Sequence, residues 1–298
     1  MPAAGDAGPT GAPDPTGVPE EQRRELELLA VELAREAGAM IRDTRPDGLG
    51  VAHTKSTDLD VVTEMDTRAE TLLRERLAAR RPEDGVLGEE AGLTGGTSGL
   101  SWVLDPIDGT VNYLYDLPAY AVSVAVVVGD PTTTGAWAPV AGAVINPRTD
   151  EVFHARVGGG AHLQTRGRSL PLRAGGLDTL GQALLATGFS YDREVRRLQA
   201  SVLADLLPRV RDVRRMGAAA LDLCHVAAGR VDGYWEYGTH AWDRAAGLLV
   251  LTEAGGVASG LQAGSADSQE MIVAAGAGLH PVLRAEVERL VGAGSPTR

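Results

Sequence analysis

The chain has little cysteine, little aromatic character and little positive charge. Its 298 residues include one cysteine, 4% aromatic residues, and 28 Lys and Arg against 40 Asp and Glu, which gives a net charge of −12. A nucleic-acid surface needs a basic stripe or a platform of aromatic rings, and this composition argues against both. An acidic protein can still bind an anionic small molecule if metal ions reverse the local potential. We therefore expect no nucleic-acid partner.

The single cysteine, Cys224, excludes an internal disulfide and favours a reducing compartment. It lies in an apolar helical stretch, 218–228, so we predict a buried packing role rather than a nucleophilic one. The six histidines are scattered along the chain and form no cysteine–histidine metal motif. His225 and His240 are interpreted as packing or surface residues.

The sequence also lacks a hydrophobic run long enough to span a bilayer. The longest, 119–128, is shorter than the roughly 20 residues that a transmembrane helix needs, and it is interpreted as a buried strand. Residues 1–19 are rich in Gly, Pro and Ala but lack the basic start and apolar centre of a signal peptide, which predicts a disordered tail. These features predict a cytoplasmic protein with no membrane partner.

Residues 20–298 are predicted to form a single domain with two intimately packed halves, about 20–175 and 176–298. A hydrophobic content of 44% is enough to bury a sizeable core. Apolar residues recur at helical spacing from Leu26 to Ile41, and a second helix is predicted from Asp66 to about Arg80. Strands are predicted at 86–88, 101–105, 119–129, 139–146, 151–156, 183–187, 233–237 and 271–275, later helices near 194–207, 217–229, 242–254 and 280–291, and a loop at 158–160.

The most informative segment is Ser101-Trp-Val-Leu-Asp105-Pro-Ile-Asp108-Gly-Thr110, in which an apolar run ends in two carboxylates three residues apart. A strand that delivers both acids into a tight turn concentrates the hard oxygen ligands that Mg2+ prefers. The glycine lets backbone N–H groups approach a phosphate at the start of the next helix. The segment therefore predicts a divalent-metal site beside a phosphate site.

Two other acidic segments support the same interpretation. Val86-Leu-Gly-Glu89-Glu90 is a short apolar run that ends in paired acids, as at the tip of a strand. Asp243 lies in the first turn of a predicted helix that stops at Gly255-Gly256. Each acid taken singly also fits an ordinary role, as a helix-dipole partner, a solvated side chain or a turn residue. Together they point to one site.

Four motifs of this chain resemble, in order and spacing, the inositol monophosphatase family of Mg2+-dependent, lithium-sensitive phosphatases. The family signatures are K-S-x-x-D-x-V-T-x-x-D, G-E-E, D-P-I-D-G-T-x-N-[FY], and W-D-x-A-A-G followed by an apolar run and E-A-G-G. They stand here at 55–66, 88–90, 105–113, and 242–247 with 253–256. The resemblance runs from about Glu20 to near the C-terminus. It implies an α/β (α+β) fold, the layered α/β/α/β/α sandwich of the inositol monophosphatase and fructose-1,6-bisphosphatase type, and a homodimer.

The resemblance also implies a role for each acid. Glu89, Asp105 and the carbonyl of Ile107 would hold one Mg2+, and Asp105, Asp108 and Asp243 would hold a second. A third, weaker Mg2+ on Glu89 is compatible with the family pattern. Such a pair can activate a water on one side of the phosphorus and stabilise the departing alkoxide on the other, without a covalent phosphoenzyme.

By the same resemblance, the attacking water lies between Glu89 and Thr110. Asp66 would orient the hydroxyl of Thr110, with Lys55 nearby. Lys55 is the only lysine in the chain. Glu90 is expected to lie outside the direct metal ligands.

The substrate is expected to contact a separate set of groups. The phosphate should bind the amides of Gly109 and Thr110, where the next helix begins. Glu236 matches the family acid that accepts hydrogen bonds from inositol hydroxyls, and Asp108 and the 217–219 loop would contribute to the rim. The expected substrate is therefore a small phosphorylated polyol or amino alcohol, with the acidic rim favouring the polyol.

Two positions depart from the family pattern. The usual G-T-A appears as Gly217-Ala218-Ala219, which removes a hydroxyl from the expected substrate rim. Asp116 replaces a glycine that is common after the N-[FY] element. Both departures are expected to affect the choice of substrate rather than the chemistry.

Three alternatives remain open on the sequence alone. The same chemistry could act on histidinol phosphate, fructose 1,6-bisphosphate or 3'-phosphoadenosine phosphates. A haloacid-dehalogenase-type phosphatase also carries D-G-T, but its two acids are two residues apart, whereas Asp105 and Asp108 are three apart; a trapped aspartyl-phosphate would distinguish it. The third alternative, from a different class, is a non-catalytic regulatory homologue that keeps the fold.

Overall fold

The computed structural model describes residues 16–55, 61–268 and 270–294. Most of the predicted tail, 1–19, lies outside the described residues, as does 56–60 within the first motif. The helices are α1 (Glu20–Asp43), α2 (Glu64–Arg80), α3 (Thr110–Leu114), α4 (Arg193–Leu206), α5 (Ala219–Ala227), α6 (Ala241–Glu253) and α7 (His280–Gly294). The strands are β1 (His53–Thr54), β2 (Val61–Val62), β3 (Gly85–Gly88), β4 (Gly92–Thr94), β5 (Leu100–Asp108), β6 (Ala121–Gly129), β7 (Trp137–Asn146), β8 (Glu151–Arg156), β9 (Gly160–Thr165), β10 (Arg168–Pro171), β11 (Leu184–Thr187), β12 (Asp212–Arg214), β13 (Gly233–Glu236), β14 (Gly256–Ser259) and β15 (Ile272–Gly276).

The strands form two main sheets and the small β1-β2 pair. The large sheet has the order β10-β9-β8-β7-β6-β5-β3-β4, and the small sheet has the order β12-β11-β13-β15-β14. Neighbours in the large sheet are antiparallel except for β3 and β5, which are parallel. Parallel strands end at the same edge of a sheet. Because Gly88 pairs with Leu104, the residues that follow them, Glu89 and Asp105, arrive side by side.

Helices and sheets alternate in five layers. Helices α1 and α2 pack on one face of the large sheet around a cluster that includes Trp102. Helices α5 and α6 lie between the two sheets, in a cluster that includes Leu249. Helices α4 and α7 cover the other face of the small sheet around Leu283. This α/β/α/β/α order confirms the expected sandwich.

The predicted elements are present with shifted ends, and several short strands were not predicted. The predicted loop at 158–160 is a tight turn that ends as β9 begins at Gly160. The unpredicted strands β1, β2, β4, β9, β10, β12 and β14 are two to six residues long, and an alternating pattern is hard to recognise over so few residues. Cys224 is buried in α5, which confirms its packing role. Within the described ranges, no helix combines the length and the apolar character needed to cross a bilayer.

Candidate active site

An irregularity in the pairing of β5 brings Asp105 and Asp108 to the same side of the strand. Asp105 pairs with Ser123 and Asp108 pairs with Ala121, so three steps along β5 match two steps along β6. Side chains alternate along a regular strand, and residues three apart would point to opposite faces. The extra residue of a β-bulge reverses this alternation. Pro106, which has no N–H to give to the ladder, lies within the bulge.

Asp105, Asp108 and Asp243 form a cluster of carboxylates. Each offers one oxygen, and the three oxygens lie within 4.8 Å of one another. Asp243 is the third residue of α6, and its Oδ2 accepts a hydrogen bond from the backbone N–H of His240 at 2.5 Å. Glu89 joins the cluster from the end of β3, next to Asp105. The structure thus brings together the four acids that the sequence singled out.

Burial raises the pKa of every carboxyl in this cluster, and repulsion from neighbouring acids adds to it for Glu89, Asp105 and Asp108. Burial is the largest cause for each, and it raises the pKa of Asp105 and Asp108 well above the usual range and that of Glu89 to about 8. The next cause is the charge of Glu89 for Asp105, and the charge of Asp243 for Asp108. Carboxyls that hold protons for this reason release them to a divalent cation. The donor set contains only oxygen, which fits Mg2+ better than a softer metal.

Asp108 is oriented by the start of α5. Its Oδ1 accepts the backbone N–H of Ala219 at 3.1 Å, and its Oδ2 accepts that of Ala220 at 2.7 Å. Gly217 reaches this helix start with φ +92°, a conformation that favours glycine. Gly217 and Ala219 line the site cavity, whereas Ala218 is buried, with 1% of its surface exposed, and does not line it. Two of the three residues of the 217–219 loop thus lie at the cavity, and the role of this loop in substrate binding stays a prediction.

Thr110 and Asp66 are hydrogen-bonded partners. The hydroxyl of Thr110 lies 3.0 Å from Asp66 Oδ1 and 3.0 Å from the carbonyl oxygen of Ile107, and it can donate to either. Asp66 Oδ2 accepts the backbone N–H of Thr63 at 2.8 Å and its hydroxyl at 2.5 Å, which is the capping box at the start of α2. Burial outweighs the hydrogen bonds from Thr63 and raises the pKa of Asp66 to about 6.

Lys55 is held by the two acids that follow β3. Its Nζ donates to Glu89 Oε1 at 2.8 Å and to Glu90 Oε1 at 2.7 Å. Burial alone would lower the pKa of Lys55, but the charges and hydrogen bonds of Glu89 and Glu90 outweigh it and raise the pKa above its usual range. Lys55 and Glu89 line the cavity, whereas Glu90 does not. Glu90 therefore reaches the site through Lys55.

Glu70 supports the turn that carries these two acids, and the sequence analysis missed it. Its carboxylate is 1% exposed and accepts the backbone N–H groups of Glu90 at 2.7 Å and Ala91 at 3.0 Å, and Nε of Arg74 at 2.7 Å. A Cβ on Gly88 would lie 2.3 Å from Glu70 Oε1, so the glycine of the Gly-Glu-Glu motif makes room for this carboxylate. The available signal was position: Glu70 follows Asp66 by four residues and shares its helix face.

The acids line a cavity of about 520 Å³ that also contains Glu236. Glu236 Oε2 accepts the hydroxyl of Tyr234 at 2.7 Å. Burial, and to a smaller extent the charge of Asp243, raises the pKa of Glu236 to about 7, although the hydrogen bond from Tyr234 lowers it. Gly188 lies against this carboxylate, where a Cβ would come within 2.1 Å of it. Gly109, with φ +91°, lines the same cavity.

Several other residues around the cavity were not predicted from the sequence. They lie in three segments that carry none of the four family motifs: 189–192, Arg215 and 237–240. His240, predicted to be a packing or surface residue, stacks on Trp242 with ring centroids 4.5 Å apart and also lines the cavity.

Asp116, the second departure from the family pattern, does not line the cavity. It has φ +58°, which explains why glycine is usual there, and Asp is one of the few other residues that adopt this conformation. Its carboxylate pairs with Arg148 at 3.2 Å on the surface.

Known proteins resemble this chain in sequence and architecture. The profile of the inositol monophosphatase family matches residues 22–291. Inositol-1-monophosphatase SuhB of Mycobacterium tuberculosis is 47% identical over 291 residues, covering 92% of this chain and 97% of the relative. A solved structure of Mycobacterium tuberculosis SuhB superposes with a TM-score of 0.75 at 44% identity, covering 90% of this chain and 97% of that one. A relative from Pasteurella multocida, 39% identical over 233 residues (77% of this chain and 82% of the relative), is named Nus factor SuhB. The chain belongs to the inositol monophosphatase family.

Proposed function

We propose that this protein is a Mg2+-dependent phosphomonoesterase that hydrolyses inositol monophosphate to inositol and phosphate. The supporting observation is that one cavity joins the carboxylate cluster, the Thr110 hydroxyl with its partner Asp66, and the carboxylate of Glu236. Its volume of about 520 Å³ suits a small-molecule substrate. In this proposal the three parts serve metal binding, orientation of the attacking water and recognition of the alcohol, respectively.

The residues that would hold Mg2+ are Glu89, Asp105, Asp108, Asp243 and the carbonyl of Ile107. Asp105 is the common member, because it lies beside Glu89 in the sheet and in one carboxylate cluster with Asp108 and Asp243. Bound Mg2+ would neutralise charge on the phosphoryl oxygens and lower the pKa of water. The hydrogen bonds of Asp108 to α5 and of Asp243 to His240 fix these two carboxylates before any metal binds.

Thr110 and Glu89 would orient the attacking water. When the Thr110 hydroxyl donates a hydrogen bond to Asp66 Oδ1, its oxygen can accept a hydrogen bond from the water, and Glu89 can accept a second one from the same water. The two hydrogen bonds from Thr63 hold Asp66 Oδ2, so that Oδ1 stays directed at Thr110. Water positioned in this way can attack phosphorus directly, without a phosphorylated side chain.

Glu236 would read the hydroxyl groups of the leaving alcohol. Tyr234 occupies its Oε2, which leaves Oε1 as an acceptor for the substrate. An ionised carboxylate accepts hydrogen bonds but cannot donate them, and it therefore favours hydroxyl or ammonium groups over a second phosphate. This chemistry favours a polyol monophosphate over a bisphosphate.

A panel of phosphate esters tests the proposal. Phosphate release with Mg2+ is measured on inositol 1-phosphate, histidinol phosphate, fructose 1,6-bisphosphate and 3'-phosphoadenosine 5'-phosphate, with the Asp105→Asn protein as the matched control. We expect the highest kcat/KM on inositol 1-phosphate and no release by the control. A higher kcat/KM on another ester would reassign the substrate, and a trapped aspartyl-phosphate would exclude direct attack. Absence of release on every ester would favour a non-catalytic role, in line with the name of the Pasteurella relative.

A further inference from the structure

A second group of metal-binding side chains lies where α1 crosses the large sheet. Glu27 comes from α1, His154 from β8 and His162 from β9. One ligand atom from each of the three side chains can be chosen so that all lie within 4.8 Å of one another. None of the three lines the catalytic cavity. We propose that Glu27, His154 and His162 bind a divalent transition-metal ion, with Zn2+ as the reference ion.

Strand register brings the two histidines together, although they are eight residues apart in the sequence. β8 and β9 are antiparallel, and His154 pairs directly with His162. Directly opposite residues on one face of such a pair have Cβ atoms about 5 Å apart. The two rings are nearly parallel, at 22°, with centroids 5.6 Å apart. Both imidazoles are thus available to one ion between the strands and α1.

The third ligand is a buried carboxylate that stays ionised. Glu27 is 4% exposed, and its Oε1 lies 2.7 Å from His154 Nδ1. Burial would raise the pKa of Glu27, but the hydrogen bonds and charges of His154 and Arg156 outweigh it and lower the pKa. An ion that binds His154 Nδ1 would displace the ring proton that now faces Glu27 Oε1, and the neutral ring would carry that proton on Nε2, beside the amide of Gln164.

Neighbouring side chains orient the ligands. Arg156 Nη1 donates to Glu27 Oε2 at 2.7 Å, and the amide of Gln164 lies 3.0 Å from His154 Nε2. Metal-binding histidines and carboxylates usually have such supporting partners. Among the described residues, His162 has no hydrogen bond from its ring, so it can turn toward an ion without breaking one.

The donor set and the surroundings indicate which ions would bind. Two imidazoles and one carboxylate suit Zn2+ and leave a position for water, whereas Mg2+ prefers oxygen ligands alone. A surface cavity of about 200 Å³, lined by the three side chains, gives an ion access from solvent. In tetrahedral Zn2+ sites the ligand atoms are about 3.4 Å apart, so His154 Nδ1 and Glu27 Oε1, which are 2.7 Å apart, would separate slightly, and atom pairs near the 4.8 Å limit would close by little more than about 1 Å. A bound ion would link α1 to β8 and β9.

Calorimetric titration of ZnCl2 into the full-length, EDTA-treated protein tests the site, with saturating Mg2+ present to occupy the catalytic carboxylates. We expect one Zn2+ per chain with a Kd near or below about 1 µM, weakened at least about tenfold in His162→Ala. His53→Ala, which removes an exposed histidine in β1, is the matched control and should bind as the wild type does.

A second variant distinguishes this site from the catalytic cluster. Asp105→Asn should keep the Zn2+ affinity, and His162→Ala should keep the Mg2+-dependent phosphatase activity. Equal Zn2+ affinity in His162→Ala and wild type would overturn the proposal, and so would loss of Zn2+ binding in Asp105→Asn. A raised Tm with Zn2+ in wild type but not in folded His162→Ala would support the predicted link between α1 and the sheet.

Discussion

Replacing Glu70 by Gln should weaken metal binding without touching a metal ligand. Glu70 lies beneath the turn that carries Glu89, and its buried carboxylate accepts three hydrogen bonds, two from backbone N–H groups and one from Arg74. Gln keeps the shape but has only one acceptor oxygen. Its NH2 group would face one of the N–H donors, and the Arg74 guanidinium would lose its counter-ion.

The structure sets the expected magnitudes. A buried donor left unsatisfied costs about 1 to 3 kcal/mol, so we expect a fall of that size in the free energy of unfolding. Removal of a side chain that orients a ligand typically costs about 10- to 100-fold in metal affinity, and we expect the Mg2+ concentration for half-maximal activity to rise by that factor. The kcat at saturating Mg2+ should recover largely, because Glu89 itself is still present.

Two measurements separate this role from a general loss of stability. One is a Mg2+ titration of phosphate release, and the other is direct Mn2+ binding to the protein without substrate. Glu75→Gln, the same change at an exposed position of α2, is the control and should leave both unchanged. Gly88→Ala should reproduce the Glu70 effect, because its Cβ would displace the carboxylate. If Glu70→Gln lowers Tm while half-saturation and Mn2+ affinity stay within about twofold of wild type, the role in metal binding is refuted.

Three further substitutions test the site directly. Asp105→Asn should reduce phosphate release by several orders of magnitude in a folded protein, and substantial turnover at saturating Mg2+ would contradict the shared-ligand assignment. Thr110→Ala should lower kcat roughly 100-fold with little change in KM, whereas a raised KM alone would make Thr110 a binding residue. The pKa of Glu236 is about 7 in the folded protein, above its ordinary value of 4.5. As pH rises, the unfolded chain therefore loses this proton before the folded protein does. The metal-free protein should lose stability between these two pH values. Glu236→Gln should reduce this pH-dependent fall in the free energy of unfolding by up to about 3 kcal/mol, measured by urea unfolding in EDTA at several pH values. If the stability of the variant and that of the wild type depend on pH in the same way, burial does not hold the proton on Glu236. The same variant should lower kcat/KM on inositol 1-phosphate by a factor that corresponds to about 1 to 3 kcal/mol of lost transition-state stabilisation. It should affect kcat/KM on p-nitrophenyl phosphate much less.

The acids of the site could be predicted because their motifs are local. Asp105 and Asp108 come from one strand end, and Asp243 comes from one helix start, so short patterns identify them. The sequence does not show why a spacing of three places both acids on one side. That depends on the register against β6, where one residue of β5 is unmatched, and register is a property of two strands rather than one.

Supporting residues were harder to predict than ligands. Thr63 and Asp66 form a capping box, which is a recognisable local pattern. Glu70 has no such pattern, since an acid on a polar helix usually faces solvent, and only the fold shows that the turn after β3 covers it. His154 and His162 were interpreted as scattered because β9 was not predicted. Once β8 and β9 are paired, their proximity follows from the register.

The metal-free cluster must also be compatible with a folded protein, although its like charges repel one another. Two helix starts reduce this cost by directing N–H donors at the acids: α5 donates two to Asp108, and the N–H of His240, just before α6, donates to Asp243. Helix N-termini carry partial positive charge, which favours a carboxylate there. Asp105 lies on a strand, and within the described ranges the N–H of Ile107 is its only backbone donor. Asp105 therefore depends most on a proton or a cation, and this dependence is consistent with its position as the shared ligand of the proposed metal site.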